Sequence, residues 1–254
     1  MKPNVYIIQK AVLEKNKNPK LRGSYNIKVA VGLIEYEKDN QKKYMVIDAD
    51  QLVYWSEIKR NIEQIAGSFE KVTHLLLTHT HLDHIQNISN FKDKIVFLAN
   101  KTSILGQAEY GSQEIYPDGY IEIPEIRYEV LPDGHSHDDT IYIIDSANEG
   151  KVIFLGDLIF TSLDKMPIDR LIGMEKRASI DPVKKFFYLQ EIYKKYPEVE
   201  KFYSGHNDQT LSRKDLKNFI DALKNNKEWK DYLYSYISKR NKELDFFINK
   251  LEKF

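Results

Sequence analysis

The sequence predicts an α+β chain whose strands deliver metal ligands at their C-terminal ends, and three observations predict it. Runs rich in branched and aromatic residues, such as Asn4 to Leu13 and Ile27 to Tyr36, read as β-strands. Ile58, Ile62, Ile65, Ala66 and Phe69 fall on one helical face, the pattern of a helix packed on a sheet. Histidines and aspartates gather where strand-like runs end, above all in Thr78-His79-Thr80-His81-Leu82-Asp83-His84, directly after Val72 to Thr78.

In chain order, the first two strands are joined by the polar loop Glu14 to Tyr25, and Lys43 to Asp48 forms the next strand. The amphipathic helix follows, then Val72 to Thr78, a helix from His84 to Phe91 and a strand from Lys94 to Leu98. An apolar strand ends in the turn Leu131-Pro-Asp-Gly-His135. Thr140 to Asp145 and Lys151 to Leu155 pair around the turn Ser146 to Gly150, and Lys201-Phe-Tyr203 leads into Ser204-Gly-His206. From about Leu211 the pattern is helical only. Leu216, Phe219, Ile220 and Leu223 make one stripe, Asn225-Asn226 breaks it, and Trp229, Tyr232, Leu233, Tyr236 and Ile237 resume it. Residues 1–254 therefore read as one domain, a core of about 1–211 with a helical extension of about 212–254. The extension is basic from Arg213 onward, with eleven Lys or Arg against seven Asp or Glu. A solvated face on a packed helix explains that charge. A lid over the substrate pocket, or a homodimer formed through these helices, is the alternative.

The clustered side chains are those a divalent cation needs. Neutral imidazole and carboxylate suit a borderline cation such as zinc, and three protein ligands with an open position leave room for water. His79 and His81 can converge on one ion from a loop, while Asp83 and His84, turning into a helix, face a second. Four residues are too few for two ions, and further ligands are expected downstream. His135, Asp157 after the strand-like Lys151-Val-Ile-Phe-Leu-Gly156, and His206 each stand at a strand exit, on a rigid support. His137 lies two residues from His135, and on residue type either could be the ligand. His74, inside a strand, reads as a packed residue.

These stretches, THTHLDH, PDGH, GD and SGH in this order, resemble the metallo-β-lactamase fold superfamily over residues 5 to about 210. The resemblance implies an αββα four-layer sandwich, two mixed β-sheets packed face to face with helices outside. It implies that His79, His81 and His135 hold one metal, that Asp83, His84 and His206 hold a second, and that Asp157 bridges them. It favours His135 over His137, because the family's ligand directly follows the Pro-x-Gly turn. The implied cofactors are two divalent metal ions, zinc first, with manganese or iron as alternatives. Asp48 and Thr80 are expected to support the ligands from outside, and the loop after the first strand to cover the metals.

The implied reaction is hydrolysis of an ester, lactone, thioester or phosphoester bond of a small, anionic substrate by a hydroxide shared between the metals, with Asp83 orienting it and Asp157 completing the catalytic pair. An anionic substrate follows if two of Lys15, Lys17, Lys20 and Arg22 in the first loop, or of Lys165, Arg170, Lys176 and Arg177 after Asp157, face the metals; lysines at this density are otherwise a solvated surface. The chain lacks the flavodoxin-like domain and the acidic HxExDH variant of flavodiiron relatives, the inserted domain of RNA-processing relatives and the exosite arm of tRNA-maturing ones. Leu158-Ile159-Phe160 follows Asp157, where the small lactonases of the family carry a tyrosine. Gly134 to Thr140, Gly-His-Ser followed by Asp-Asp-Thr, is closer to short members whose substrates no motif reveals. A mononuclear iron, persulfide-oxidising enzyme and an RNA- or DNA-acting phosphodiesterase are the alternative activities. A binding protein with structural metals is less consistent with seven ligands that leave coordination positions open.

Composition narrows the rest. Lys plus Arg equals Asp plus Glu at 38 each, so no global field recommends nucleic acid or a membrane as partner. Cysteine is absent, which removes disulfides, iron–sulfur clusters and thiol catalysis. With no apolar stretch of about 20 residues and a strand beginning just after Met1-Lys-Pro3, the expectation is a cytoplasmic protein with no membrane span or signal peptide.

Overall fold

Strand alternation builds the molecule's middle. In Tyr44-Met45-Val46-Ile47, Met45 and Ile47 point to one face and Tyr44 and Val46 to the other, and each pair joins a different buried cluster. A computed structural model describes residues 1–15, 25–99, 115–116, 121, 123–159, 172–173, 175–176, 179–206 and 210–239. Its first sheet is built from β1 (Asn4–Gln9), β4 (Val31–Lys38), β5 (Gln41–Ile47), β6 (Val72–Leu76), β7 (Ile95–Phe97) and β8 (Ile115–Tyr116), neighbours in that order, and β2 (Val12–Lys15) with β3 (Tyr25–Lys28) forms a separate hairpin. The second sheet is ordered β13-β12-β11-β10-β9, from β9 (Ile126–Val130), β10 (Thr140–Ser146), β11 (Gly150–Gly156), β12 (Lys201–Ser204) and β13 (Leu211–Ser212). Both sheets are mixed: β5 to β8 run parallel beside antiparallel β1, β4 and β5, and β11 and β12 are the parallel pair of the second sheet.

The two sheets pack through Val5, Ile34, Met45, Ile47, Leu76 and Phe97 from one and Tyr142, Ile144, Val152, Phe154 and Tyr203 from the other. Gly32 permits this approach, since a Cβ there would lie 2.6 Å from the Phe154 ring. On the outer face of the first sheet lies α1 (Trp55–Ala66), whose Ile58 and Ile62 pack with Leu33, Val46 and Leu75. Beyond the second sheet lie α3 (Pro182–Lys195), α4 (Arg213–Asn225) and α5 (Lys227–Lys239), contributing Val183, Phe187, Leu216, Phe219, Trp229 and Leu233 to a cluster with Ile141, Ile153 and Phe202. A short α2 (Leu82–Ile85) follows β6. This is the expected four-layer αββα sandwich. Among the described residues no helix is long and apolar enough to cross a membrane.

Several element boundaries depart from the sequence reading. The strand expected from Ile27 to Tyr36 breaks at Val29-Ala30, because the Ala30 amide is taken by the carbonyl of Gly205 from the other sheet. The helix expected to reach Phe69 stops at Gly67 in the left-handed conformation (φ 79°), and Phe69 packs edge-on to Trp55 instead. The helix expected from His84 to Phe91 is a single turn followed by a 3₁₀ turn, Ile88–Phe91. The helix α3 was not anticipated, although Asp181-Pro182 is a start signal: the Asp181 carboxylate accepts from the amides of Val183 and Lys184, with proline in the first turn. Asn226 ends α4 as the sequence suggests, and Ser212 and Asp215 form its capping box.

Candidate metal centre

Seven side chains meet where β6, β11 and β12 end and the β9–β10 loop turns. His79, His81, His135 and Asp157 form one group whose potential ligand atoms all lie within 4.8 Å of one another, and Asp83, His84 and His206 form a second. Asp157 touches both: its Oδ2 lies 3.3 Å from His135 Nε2 and 3.0 Å from His206 Nε2, and its Oδ1 lies 3.3 Å from His84 Nε2. His206 Nε2 is also 3.2 Å from Asp83 Oδ2, and His135 Nε2 is 2.8 Å from His81 Nδ1. His81 is exposed and Asp83 half-buried, so these two mark the open side; the other five are buried. His137 points away, 65 % exposed and paired with Asp133 at 2.7 Å. His74 is buried against Thr73 Oγ1, outside the centre.

Asp48 organises one histidine of each group. It follows β5 in a left-handed conformation (φ 59°) that swings its carboxylate under the ligand loop. That carboxylate accepts from the Thr78 amide at 2.9 Å, from Thr78 Oγ1 at 2.8 Å and from His84 Nδ1 at 3.0 Å. With its proton given to Asp48, Thr78 Oγ1 is left to accept from His79 Nδ1, 3.1 Å away. Both imidazoles are thereby held in the tautomer whose Nε2 carries a lone pair directed at the centre. The sequence reading named Thr80 for this supporting role. Among the described residues Thr80 makes no hydrogen bond to a ligand, and Thr78, at the strand end facing Asp48 across the β5–β6 pair, holds the position instead.

A second carboxylate shapes the other loop. Asp139 Oδ2 accepts from the amides of His135 (2.6 Å) and Ser136 (2.9 Å), and Ser136 Oγ donates to Asp139 Oδ1. Burial pushes the Asp139 carboxyl up to about 7. Neither Asp139 nor Gly205 was singled out from sequence. A Cβ on Gly205 would run into Asp157 Oδ1 and approach His84 Cε1 to 2.7 Å.

The metal-free centre is part neutral and part protonated: despite its burial, His206 is raised by Asp157 to about 9, so a cation would displace a proton there. Burial holds His79 well below the ordinary imidazole range, in the neutral form a cation requires. In His84 burial acts the same way but is outweighed by Asp157 and Asp48, so its pKa lies well above the ordinary value. Asp157 is buried too, a cost outweighed by His206 and His84, and it stays charged. A cation fits this set on a direct test. His79 Nε2 is buried without a hydrogen-bond partner, and His84 Nε2 and Asp157 Oδ1 have at best each other at 3.3 Å, an arrangement costly for a folded protein unless something electron-poor sits among them.

Of the basic residues expected near the substrate, Lys176 turns away to Glu228, 2.7 Å off. Lys17, Lys20, Arg22, Lys165, Arg170 and Arg177 lie outside the described residues, as do the side chain of Lys15 and all of Phe160.

No family model matches the sequence, and no curated protein matches it. Solved structures do. A Thermotoga maritima protein named for the metallo-β-lactamases superposes with a TM-score of 0.59 at 16% identity, over 84% of this chain and all of that one. The N-acyl homoserine lactone hydrolase AiiA of B. thuringiensis gives 0.55 at 16% identity, over 81% of this chain and 93% of its own, and was solved with N-decanoyl-L-homoserine at its active site. The metallo-β-lactamase DIM-1 gives 0.53 at 14% identity, over 84% and 97%. The chain has the metallo-β-lactamase fold.

Proposed function

We infer that the chain is a metal-dependent hydrolase with a dinuclear centre. His79, His81 and His135 would hold one divalent cation, Asp83, His84 and His206 would hold the other, and Asp157 would be available to both. The observation that carries this reading is the position of Asp157, whose carboxylate lies between the two groups and within 3.8 Å of nitrogens from both. Zinc fits the mixture of imidazole and carboxylate, and manganese or iron would accept the same donors. Two such cations, when bound, bring the pKa of a shared water down to about neutrality and polarise the oxygen of the bond to be broken.

The chain's own residues do the rest. Asp48 aims two of the ligand rings, His84 directly and His79 through Thr78, by fixing their Nδ1 atoms. Asp83 faces the open side; burial alone would raise its pKa, but the hydrogen bond from His206 outweighs this and keeps it a carboxylate able to orient water. Leu82, 57 % exposed, stands immediately before Asp83, and Leu52, whose amide donates to Gln86 Oε1 one turn beyond Leu82, is equally exposed. We read these two exposed leucines as footing for an apolar group of the substrate. Esters, lactones and thioesters with an apolar acyl part suit it, and that two relatives of this fold are lactonases with N-acyl homoserine products bound agrees.

The test is the metal content of protein purified without added metal, followed by chromogenic esters, lactones, thioesters and phosphodiesters with and without His81→Ala. About two zinc or manganese ions per chain, and turnover lost in His81→Ala, are expected. One iron per chain with no hydrolysis of any substrate would overturn the reading.

A further inference from the structure

The last described helix, α5, presents a ridge at four-residue spacing, Glu228, Tyr232 and Tyr236, to described residues of the segment before α3, Lys176 and Ile180. Lys176 from that segment meets Glu228 at 2.7 Å and lies 4.8 Å above the ring of Tyr232. The Tyr236 hydroxyl donates to the carbonyl of Ile180 at 2.9 Å. The same peptide segment then reaches the ligand loop: the amides of Ile180 and Asp181 donate to the carbonyl of Gly134, at 3.1 and 3.4 Å, and Gly134 is the residue before His135. Behind the segment, Ile172 is fully buried in the same apolar cluster as Trp229, Leu233 and Ile237, and Glu175 is buried against Lys185 at 2.6 Å. The segment is thus clamped between α5 on one side and the His135 turn on the other.

We propose that α5 is a brace for the metal centre, with Tyr236 a positioning residue that fixes the carbonyl of Gly134 through the backbone of Ile180 and so aims His135. The helix belongs to the extension beyond the sandwich core, and this gives it a task other than covering apolar surface. Gly134 leaves little room for a side chain: a Cβ there would approach Leu158 to 3.0 Å and Asp139 Oδ2 to 3.1 Å. Tyr188, which donates to the carbonyl of Pro132 at 2.9 Å, and Lys184, which meets Asp133 at 2.7 Å, hold the near side of the same turn. Tyr236 is the contact by which the extension joins them. The consequence for metal binding rests on the dinuclear reading above; the consequence for the loop does not.

Tyr236→Phe removes the hydroxyl and keeps the ring. Hydrogen exchange of the metal-free full chain should show the amides of His135, Ser136, Ile180 and Asp181 exchanging about three- to tenfold faster, the loss of one hydrogen bond, with the amides of β4 and β5 unchanged. Titration with zinc should show an affinity about tenfold weaker, the scale seen for outer-shell partners of a metal ligand. Unchanged exchange in both segments, or equal acceleration throughout the chain, would overturn the brace. Wild-type protein that binds none of zinc, manganese or iron would overturn the dinuclear reading while leaving exchange to decide the brace.

Discussion

Replacing Gly205 by alanine is expected to dislodge Asp157 from between the two ligand groups. The added Cβ would sit 2.7 Å from His84 Cε1 and nearer still to Asp157 Oδ1, against an ordinary contact of at least 3.4 Å. The His84 ring would have to retreat by about 0.7 Å and the carboxylate by more. The backbone cannot withdraw instead, because the Gly205 amide donates to Gly156 and its carbonyl accepts from Ala30, each at 2.8 Å. Crowding of this kind costs about 1–3 kcal/mol, less than a domain's stability of about 5–15 kcal/mol, so the variant should fold. Its zinc affinity should fall by about 100-fold or more, beyond what loss of an outer hydrogen bond costs, since the shared ligand itself is moved. Competition with a chromophoric chelator gives the affinity, and a thermal melt of the metal-free protein gives the folding cost. Wild-type zinc stoichiometry and affinity in Gly205→Ala would refute the reasoning, and so would a variant that does not fold at all.

Further perturbations test other parts of the account. Asp48→Asn should lower zinc affinity about 10- to 100-fold while costing about 1–3 kcal/mol of stability, because the amide cannot accept from Thr78 and His84 together; chelator competition and urea unfolding separate the two effects. Asp50 is fully buried beside Gln9, and burial raises its carboxyl to about 6. The folded chain therefore holds a proton that the unfolded chain releases between about pH 4 and 6, and the stability it contributes, present at low pH, is lost as pH rises through 6. Stability of the wild type minus that of Asp50→Asn should fall by about 2 kcal/mol from pH 4 to pH 7, and a flat difference would sink the assignment. Gly32→Ala should destabilise the sandwich by about 1–3 kcal/mol through the Phe154 ring, and Phe154→Leu should recover part of the loss in a double-mutant cycle; additive effects would show that the two do not meet.

Local chemistry in this chain was legible before the fold was known. The stripe of Leu216, Phe219, Ile220 and Leu223 and the break at Asn226 describe α4, and alternation in β4 and β5 describes both faces of the first sheet. The departures from the sequence pattern have a distant cause in one case and a local one in another. Ala30 leaves its strand because Gly205 claims its amide, and α1 stops short of Phe69 because Gly67 turns left-handed and the phenylalanine joins Trp55 and Phe91.

The sequence by itself determined the elements and the ligand types, because periodicity, capping and the crowding of His and Asp into THTHLDH are written within a few residues of one another. The tertiary structure decided which groups support the ligands. Asp48 meets Thr78 across 30 residues of chain, Gly205 must lack a side chain because Asp157 and His84 arrive from other strand ends, and Tyr236 reaches Ile180 across 56 residues. Such pairings depend on sheet register and on how the layers close, and neither leaves a periodic trace in the residues that meet.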